Sequence, residues 1–334
     1  MRTGRIVIFS MLSMLAAGWI SIRWRPELPQ NFPQPLNEKL NKGLNRTAIQ
    51  LGRYLFFDPI LSVDSSISCA SCHSPLNAFA HNDHALSHGI GDSVLKRNAP
   101  ALFNLAWQPS FMWDGSIHRL YAQPVVPIEN KREMGSSLKE VMLRLNRSEF
   151  YRKQLRLVFG KANWDTDVLL LALEAFQLSL ISADSKYDKV QRGEKGVVLT
   201  QQEQNGYQLY RQKCSSCHRE PLFSDFSFQR NYLVGNVMGD LGRYEVTGLV
   251  GDSFRFKVPS LRNLKYTLPY MHDGRFNSLS SVMRHYNSLG ELNGVSMHLT
   301  DNEQRDLIAF LLTLTDEEFV RNKNYHFPKE RIMD

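Results

Sequence analysis

The sequence Cys-Ala-Ser-Cys-His at Cys69–His73 constrains this chain more than any other stretch, and a second copy, Cys-Ser-Ser-Cys-His, stands at Cys214–His218. Two cysteines separated by two residues, with a histidine directly after the second, form the attachment pattern of a c-type haem. The chain contains 4 cysteines, and the two motifs use them all. The spacing therefore predicts two covalently bound haems, each held by two thioether bonds, with His73 and His218 as iron ligands.

Two other interpretations of a Cys-x-x-Cys pair are a redox dithiol and half of a zinc site. A dithiol does not need the histidine that follows each pair here. A zinc site would require all of the cysteines, Cys69, Cys72, Cys214 and Cys217, to come together. This four-cysteine zinc site is the main alternative to the two haems.

Length, composition and charge narrow the function further. A chain of 334 residues accommodates two domains of ordinary size, so we expect one haem in each. The hydrophobic content of 43% is enough to build cores around two large apolar cofactors. The formal net charge of +7 would suit nucleic acid or an acidic partner. No basic run or nucleic-acid motif accompanies that charge, and haem propionates would offset it, so we exclude nucleic acid as a partner.

Residues 1–22 begin with Arg2 and Arg5 and continue as an apolar stretch. This order is typical of a secretory signal peptide or a short N-terminal anchor. Ala16–Gly18 offers small residues for cleavage, whereas Trp19 would suit a membrane interface. We favour cleavage over anchoring. Because c-type haem is attached on the exported side of the membrane, we expect the protein in the periplasm.

The apolar periodicity predicts helices and no extended sheet. Helices are expected over Thr47–Phe57, from about Asp165 onward, and after Thr300, which forms a capping box with Glu303. The predicted fold is mostly α, with two tandem cytochrome c-like haem domains. The expected division is a signal peptide or anchor over 1–22, a Pro-rich linker over 23–45, the N-terminal haem domain over 46–190 and the C-terminal haem domain over 191–334.

An internal repeat accompanies the two motifs. Pro100–Gly115 aligns without gaps on Pro259–Gly274, with seven of sixteen positions identical. The segments that precede the motifs also match, Gly52–Phe56 with Gly206–Tyr210. Two copies indicate a duplicated haem-binding unit and not a solenoid.

The two copies differ where their chemistry is expected to differ. Trp113 of the first copy is replaced by His272 in the second, and only the first copy is followed by Gln123 and Glu133. Activation of peroxide needs an iron with a displaceable sixth ligand. It also needs a base that moves a proton between the peroxide oxygens and a donor that stabilises the charge that develops. Glu133 and Gln123 are chemically suited to these two tasks.

The segment after the first motif is rich in His, Asn, Asp, Ser and Gly, which predicts a loop. It carries His81, His84 and His88. Each is a candidate for the sixth iron ligand or for a pocket acid, and at least two of the three are expected to be solvated loop residues. We select His88, which is followed by Gly89, as the candidate sixth ligand of the first iron.

Four further blocks resemble the bacterial di-haem cytochrome c peroxidases and their MauG-like relatives, over nearly all of the chain after the leader. These blocks are Arg97–Pro100, Phe111–Gly115, Lys257–Asn263 and Pro269–Gly274. The resemblance implies that peroxide reacts at the haem on His73, with Gln123 and Glu133 as its distal residues. It places His88 where the peroxidases keep a histidine that must leave before peroxide binds.

The same resemblance implies a role for the residues between the haems. Trp113 would relay electrons from the haem on His218. A calcium ion would lie between the haems, held by the side chain of Asn98 and the backbone carbonyls of Lys257 and Pro259. Oxygen donors of this kind are the ligands that calcium prefers.

The chain departs from the peroxidases at the second haem. Their sixth ligand is a methionine shortly after the Asp-Gly block, whereas the same register here gives Tyr286, as in the MauG-like branch, where a tyrosine binds the iron. Met283 and His285 are alternatives. A tyrosinate would lower the potential of the iron relative to a thioether.

These observations predict a periplasmic enzyme that reduces hydrogen peroxide with electrons from a small redox protein, either a cytochrome c or a cupredoxin. The main alternative is a MauG-like enzyme that uses peroxide to oxidise aromatic residues of a partner protein. A non-catalytic di-haem electron carrier is a third possibility, and it predicts no reaction with peroxide.

Overall fold

The structure is a computed structural model that describes residues 23–329 except 234 and 236, so the predicted signal peptide at 1–22 lies outside the described residues. This part of the chain is mostly helical, as the sequence predicts. Its α-helices are α1 Glu38–Lys42, α2 Arg46–Phe57, α3 Cys69–Cys72, α4 Val125–Glu129, α5 Leu138–Arg147, α6 Glu149–Phe159, α7 Thr166–Ser179, α8 Lys186–Gln191, α9 Gln201–Lys213, α10 Tyr244–Thr247, α11 Leu279–Leu289, α12 Asp301–Leu312 and α13 Glu317–Arg321.

The strands in the described residues form three two-stranded antiparallel sheets, in the order β1–β2, β3–β4 and β5–β6. They are β1 Arg23–Trp24, β2 Leu44–Asn45, β3 Phe228–Arg230, β4 Arg255–Lys257, β5 Glu291–Leu292 and β6 Val295–Ser296. In the register of β3 with β4, Phe228 pairs with Lys257. Within residues 23–329, leaving out 234 and 236, we find no helix both long and apolar enough to cross a membrane.

Side-chain caps set the first residues of the helices that flank the motifs. Thr300 and Glu303 form the predicted capping box at the start of α12. Thr200 forms the same box with Glu203 at the start of α9. Asp165 accepts a hydrogen bond from the backbone N of Val168 and begins α7. Each cap supplies an acceptor to an N–H group that the helix itself leaves unpaired.

A glycine in each half of the chain lets two long helices cross in contact. A Cβ atom on Gly52 of α2 would lie 1.9 Å from the carbonyl oxygen of Ala172 in α7. On Gly206 of α9 it would lie 1.9 Å from the carbonyl oxygen of Asp306 in α12. Only a residue without a side chain allows this approach of the two backbones. The glycine repeated before each motif therefore marks the same helix crossing in both halves.

Each half has its own apolar core, built around three aromatic rings. One ring comes from the helix before the motif, one from the loop after it and one from the last long helix, and their centroids lie 5.1 to 6.3 Å apart. The rings are Phe56, Phe79 and Phe176 in the N-terminal half, and Tyr210, Phe223 and Phe310 in the C-terminal half. The two motifs therefore rest on equivalent cores.

Each core contains residues from the other side of the expected domain boundary. Tyr187 of α8 belongs to the second core, although α8 precedes residue 191. Phe319 and Val320 of α13 pack in the first core, although they lie near the end of the chain. The boundary between 190 and 191 stays a prediction, and the tail of the chain stabilises the N-terminal half.

A buried ion pair ties α8 to the second copy of the repeat. Arg262 and Asp188 are both fully buried, with nitrogen–oxygen distances of 2.7 Å for both hydrogen bonds. Arg262 also donates to the carbonyl oxygen of Pro221 at 2.9 Å. Burial alone would raise the pKa of Asp188, but the hydrogen bonds and charge of Arg262 outweigh burial and hold it below its usual value.

We expect Arg262→Met to lower the free energy of unfolding by about 3–5 kcal/mol, because it leaves the Asp188 carboxylate buried without its cation. Urea unfolding of the haem-loaded protein at neutral pH measures this change. Because Asp188 has a lowered pKa, the wild type should lose this stability only as the pH falls below the ordinary aspartate range. Lys265→Met, which removes a solvent-exposed partner of Glu317, should cost less than about 1 kcal/mol. Equal effects of the two variants would contradict the prediction.

Candidate active site

A cavity of about 750 Å³ extends through both halves of the molecule. Cys69, Cys72 and His73 line it from the N-terminal half, and Cys214, Cys217 and His218 line it from the C-terminal half. The two motifs thus open into one continuous space, which is where two haems would have to lie.

The backbone around the first motif orients the ring of His73. Cys69–Cys72 forms the single turn α3, and the backbone N of His73 donates to the carbonyl oxygen of Cys69 at 2.9 Å. The ring Nδ1 lies 3.0 Å from the carbonyl oxygen of Phe79. A carbonyl oxygen only accepts, so Nδ1 carries the proton and Nε2 keeps the lone pair that binds a metal.

His218 is held in the same way. Its Nδ1 lies 3.2 Å from the carbonyl oxygen of Phe223 and 3.1 Å from that of Pro259. Burial lowers the pKa of His73 to about 4 and also lowers the pKa of His218. Both rings are therefore neutral at physiological pH, the form in which histidine binds metals.

The cysteines do not resemble those of a redox or zinc site. Burial raises the pKa of the Cys69 and Cys214 thiols to about 12, whereas a catalytic dithiol has a lowered thiol pKa. In the described part of the chain, no group of three or more His, Cys, Asp or Glu side chains is arranged to hold a metal ion. The zinc alternative therefore finds no ligand set among these residues.

Unpaired polar atoms in the cavity wall fit an amphipathic cofactor. Ser87 Oγ, Gln177 Oε1 and His272 Nδ1 are buried without a hydrogen-bond partner, and all three residues line the cavity. Buried polar groups nearly always have a partner, so a group with polar edges is expected here. A haem, with its apolar ring and propionates, meets this requirement. When bound, it supplies an iron that reacts with peroxide and exchanges electrons.

Gln123 and Glu133, which we expect to be distal residues, both line the cavity. The amide Nε2 of Gln123 donates to the sulfur of Met112 at 3.7 Å. The carboxylate of Glu133 accepts a hydrogen bond from Asn130 Nδ2 at 2.8 Å. Burial raises the pKa of Glu133, and this hydrogen bond opposes the rise only in part. A raised pKa makes a carboxylate a stronger base, which suits a group that accepts a proton and then returns it.

The loop that carries His88 packs directly on the backbone of Glu133. The backbone N of Ile90 donates to the carbonyl oxygen of Glu133 at 2.8 Å. A Cβ atom on Gly89 would lie 1.9 Å from the carbonyl oxygen of Arg132, so only glycine fits next to His88. The loop of the candidate sixth ligand, His88, is thus in direct contact with the backbone of the candidate base, Glu133.

The ring of His88 itself faces away from the cavity. Its Nδ1 bonds the carboxylate of Asp92 at 2.5 Å, and its ring lies 4.9 Å from that of His84. Ser87 and Gly89 line the cavity, whereas the side chain of His88 is one-third exposed. In this conformation, the side chain of His88 does not line the cavity in which the first haem would lie.

Two equivalent backbone hydrogen bonds join the two copies of the repeat where the halves meet. The backbone N of Asn98 donates to the carbonyl oxygen of His272, and the backbone N of Lys257 donates to that of Trp113, both at 2.7 Å. The repeat alignment pairs Trp113 with His272 and, continued two residues before Pro100 and Pro259, pairs Asn98 with Lys257. The two bonds are therefore equivalent. The indole Nε1 of Trp113 also donates to the carbonyl oxygen of Asn98 at 2.8 Å. Trp113 therefore lies where the two halves meet.

The glycine of each repeated Asp-Gly pair makes a similarly close contact. Gly115 and Gly274 have φ angles of 72° and 66°. A Cβ atom on Gly115 would lie 2.2 Å from the ring of Phe228 in the other half, and one on Gly274 would lie 2.1 Å from the carbonyl oxygen of Ala85. Both the backbone conformation and the space require glycine.

Sequence analysis missed several contacts of charged side chains at this interface. Arg97 binds Asp114 at 2.5 Å and Asp240 of the other half at 2.6 Å. The ammonium group of Lys257 donates to the carbonyl oxygen of Ser110 at 2.7 Å and to the side-chain oxygen of Gln108 at 2.8 Å. Burial lowers the pKa of Lys257 to about 7. Arg97 and Lys257 stand just before the two copies of the repeat, but their partners carry no pattern that the sequence could reveal.

The three candidates for the second sixth ligand, Tyr286, Met283 and His285, differ in whether they line the cavity. Tyr286 lies on α11 and lines the cavity next to Cys214 and Cys217, and burial raises its pKa to about 12. Met283 also lines the cavity. The Nε2 of His285 instead bonds the carbonyl oxygen of Asn231 at 2.7 Å. Tyr286 and Met283, but not His285, therefore line the cavity in which the second haem would lie.

Comparison with known proteins agrees with this geometry. The family model for the di-haem cytochrome c peroxidases matches residues 46–196. The methylamine utilization protein MauG of Methylorubrum extorquens is 34% identical over 307 residues, which cover 89% of this chain and 85% of that protein. The cytochrome c551 peroxidase of Nitrosomonas europaea is 32% identical over 280 residues, which cover 82% of this chain and 81% of that protein.

A solved structure shows the same architecture. The crystal structure of a MauG-like protein associated with microbial copper homeostasis matches with a TM-score of 0.83 and 28% identity, over 92% of this chain and 99% of that one. The predicted fold, mostly α with two tandem cytochrome c-like domains, is confirmed. Together with the two haem motifs and the shared cavity, these similarities show that the chain belongs to the di-haem cytochrome c peroxidase family of oxidoreductases, which includes the MauG-like proteins.

Proposed function

We propose that this protein is a periplasmic di-haem peroxidase that reduces hydrogen peroxide to water at the haem on His73. Electrons from a small redox protein, a cytochrome c or a cupredoxin, are stored at the haem on His218. The observation that carries this proposal is the asymmetry of the cavity. In the N-terminal half, the cavity wall contains an amide, Gln123, and a half-buried carboxyl group with a raised pKa, Glu133, which lies near Cys72.

Glu133 and Gln123 have complementary roles in this proposal. The Glu133 carboxylate would accept a proton from one oxygen of hydrogen peroxide and return it to the other oxygen, which leaves as water. Two electrons from the donor and two protons would convert the remaining oxygen to a second water. Asn130 holds one carboxylate oxygen, which leaves the other for the proton. Gln123 has two amide hydrogens, of which one is bound to Met112. Its second hydrogen stabilises the negative charge that develops as the O–O bond breaks.

Trp113 connects the two halves in this proposal. Its backbone carbonyl accepts from the backbone N of Lys257 and its indole donates to the carbonyl oxygen of Asn98, two residues that lie just before the second and the first copy of the repeat. These bonds fix the ring at the interface, where it relays electrons from the second haem to the first.

We expect Trp113→Phe to slow oxidation of a reduced cytochrome c by about tenfold or more, the effect of about 1.4 kcal/mol on a barrier. The first reaction with peroxide should be unaffected, and stopped-flow spectroscopy separates the two steps. Trp107→Phe is the matched control, because it removes an indole bond of similar length, 2.7 Å to the carbonyl oxygen of Pro33, from a residue outside the cavity wall. If both variants slow donor oxidation equally, Trp113 is not the relay.

A calcium ion between the haems is part of the proposal. The amide nitrogen of Asn98 donates to the carbonyl oxygen of Ala85 at 3.0 Å, so its oxygen points in the opposite direction. The backbone carbonyls of Lys257 and Pro259 complete the candidate ligand set. The Pro259 carbonyl also accepts from His218, and it has a second lone pair for an ion. All three donors are the neutral oxygens that calcium accepts alongside water.

The candidate sixth ligands are His88 for the first iron and Tyr286 for the second. His88 would have to leave Asp92 and turn toward the cavity, which its exposed loop allows. Tyr286 is already inside the cavity beside the second motif. Loss of its proton, opposed by burial, would be favoured by bonding to the iron.

The position of Tyr286 supports a second candidate function. A MauG-like enzyme would use peroxide to oxidise aromatic residues of a partner protein, with Tyr286 as an iron ligand where the peroxidases keep a methionine. The two functions share the first haem pocket and differ in where the electrons originate.

Tyr286→Met tests the choice between them in the haem-loaded protein. For a peroxidase, the variant should retain or gain peroxide-dependent oxidation of a reduced cytochrome c, because a thioether gives the second iron a higher potential. For the MauG-like function, the wild type should oxidise little donor, and peroxide-dependent modification of an added protein should disappear in the variant. Tyr286→Phe, which removes the ligand without replacing it, shows by its optical spectrum whether the phenol oxygen binds the iron.

A further inference from the structure

The two copies of the repeat contain a methionine in the same unusual conformation. Met112 and Met271 are aligned in the repeat, and their φ angles are 67° and 77°, a region that residues with a side chain rarely adopt. Both are half-buried and both line the cavity. Each adjoins the Trp113 or His272 position at which the halves meet. Strain of this kind persists where the surrounding structure enforces it, and it is common at functional sites.

Each methionine sulfur accepts an amide N–H at nearly the same distance. Gln123 Nε2 lies 3.7 Å from the sulfur of Met112, and Asn231 Nδ2 lies 3.8 Å from that of Met271. The two sulfurs therefore have closely matched backbone, burial and hydrogen bonding. They differ in their donors, because only the sulfur of Met112 accepts from Gln123, the residue proposed to stabilise reacting peroxide.

We propose that Met112 is a peroxide-sensitive modification site, whose thioether is oxidised to the sulfoxide by hydrogen peroxide held between Gln123 and Glu133. This inference rests on the proposed function, since it needs peroxide to bind at that place. The geometry selects Met112 because its sulfur already lies against the amide that would hold the peroxide.

The reaction is balanced without a further reagent. A sulfur lone pair forms the S–O bond to one peroxide oxygen while the O–O bond breaks. The other oxygen leaves as hydroxide and takes the proton of the transferred oxygen, so that the products are methionine sulfoxide and water. Sulfur loses two electrons and peroxide gains them. Glu133 in its protonated form would relay that proton, donating its own to the departing oxygen and taking the proton of the transferred oxygen, and burial favours this form by raising the pKa of Glu133.

Oxidation at Met112 changes what Gln123 can do. A thioether sulfur is a weak acceptor, whereas a sulfoxide oxygen is polar and accepts strongly. The new oxygen holds the Gln123 amide more firmly and fills part of the pocket. The modified protein should therefore react more slowly with peroxide, and sulfoxide reductases can restore it. Oxidation of Met112 thus limits turnover when peroxide exceeds the supply of electrons.

Peptide mass spectrometry of the haem-loaded full chain tests this inference. Hydrogen peroxide is added stepwise without an electron donor, and one added oxygen is quantified at Met112, at its matched counterpart Met271 and at Met238, which is 47% exposed and reports bulk oxidation. We expect the Met112 sulfoxide to exceed the Met271 sulfoxide by about tenfold or more, as a barrier difference of about 1.4 kcal/mol would give. Oxidation of Met271 to the same extent, or of Met238 alone, would overturn the proposal.

Two matched variants provide a second readout. After pretreatment with peroxide, the wild type and Met271→Leu should show a changed optical spectrum of the first haem on binding a small ligand, and Met112→Leu should not. A pretreatment effect that persists in Met112→Leu would contradict the proposal. If the protein turns over peroxide while Met112 stays unmodified, this inference fails and the peroxidase function stands. If neither turnover nor Met112 oxidation occurs, both fail.

Discussion

Glu133→Gln is expected to slow the reaction of the haem-loaded protein with peroxide by about 10²–10⁴-fold, the usual contribution of a positioned general acid–base. The variant keeps the size of the side chain and its hydrogen bond from Asn130, but it cannot accept a proton. Stopped-flow measurement of the second-order rate with peroxide gives the effect directly. The effect is expected because the carboxyl group lies in the cavity wall.

The pH dependence of the same rate provides an independent check. Since burial raises the pKa of Glu133, the carboxylate form needed as base should be lost as the pH falls through a value above the ordinary glutamate pKa of about 4.3. The rate of the wild type should therefore decline toward acid pH earlier than an ordinary carboxylate predicts. The rate of Glu133→Gln should lack this decline.

Glu174→Gln is the matched control. Glu174 is a buried glutamate, whereas Glu133 is half-buried, and Glu174 binds Lys39 and Asn37 outside the main cavity. Its substitution should affect stability and leave the rate with peroxide unchanged. Comparable loss of that rate in both variants, or an unaffected rate in Glu133→Gln, would show that Glu133 is not the proton-transfer group.

The second large effect concerns folding. We expect Gly52→Ala and Gly206→Ala each to lower the free energy of unfolding by more than about 4 kcal/mol, an effect confined to severe disruptions of packing or backbone. A Cβ atom at either position would lie 1.9 Å from a backbone carbonyl oxygen, which cannot move without separating the two crossing helices. The aromatic core beneath the motif would open with them, so we also expect poor haem incorporation.

Circular dichroism, haem content and urea unfolding together measure this effect. Gly251→Ala is the control, because no atom lies within 4 Å of its added Cβ and its φ needs no glycine. That variant should change stability by less than about 0.5 kcal/mol. A variant at Gly52 or Gly206 that folds with both haems and near-normal stability would show that the helices are not in the close contact described here.

Local patterns in the sequence predict much of what surrounds the haems. The Cys-x-x-Cys-His spacing identifies His73 and His218, and the loop carbonyls near them then fix which ring nitrogen is free. The capping box at Thr300 correctly marks the start of α12, because capping depends on residues a few positions apart. The repeat alignment also has a direct counterpart in space, in the paired bonds between the two halves.

Contacts between distant segments have no such local signature. Arg97 with Asp240, and Lys257 with the loop at Ser110, depend on how the two halves dock. The return of Phe319 to the first core is likewise invisible in the periodicity of α13. The orientation of His88 depends on whether its ring binds Asp92 or an iron, and composition does not distinguish these states.

The most direct test of the central claim is the stoichiometry of peroxide reduction. The haem-loaded wild type is mixed with a reduced cytochrome c, hydrogen peroxide is added in limiting amounts, and oxidation of the cytochrome is followed optically. The account predicts two cytochromes oxidised for each peroxide consumed, and loss of this oxidation in Glu133→Gln but not in Glu174→Gln. Peroxide consumption that leaves the cytochrome reduced, whatever else is modified, would contradict the peroxidase function.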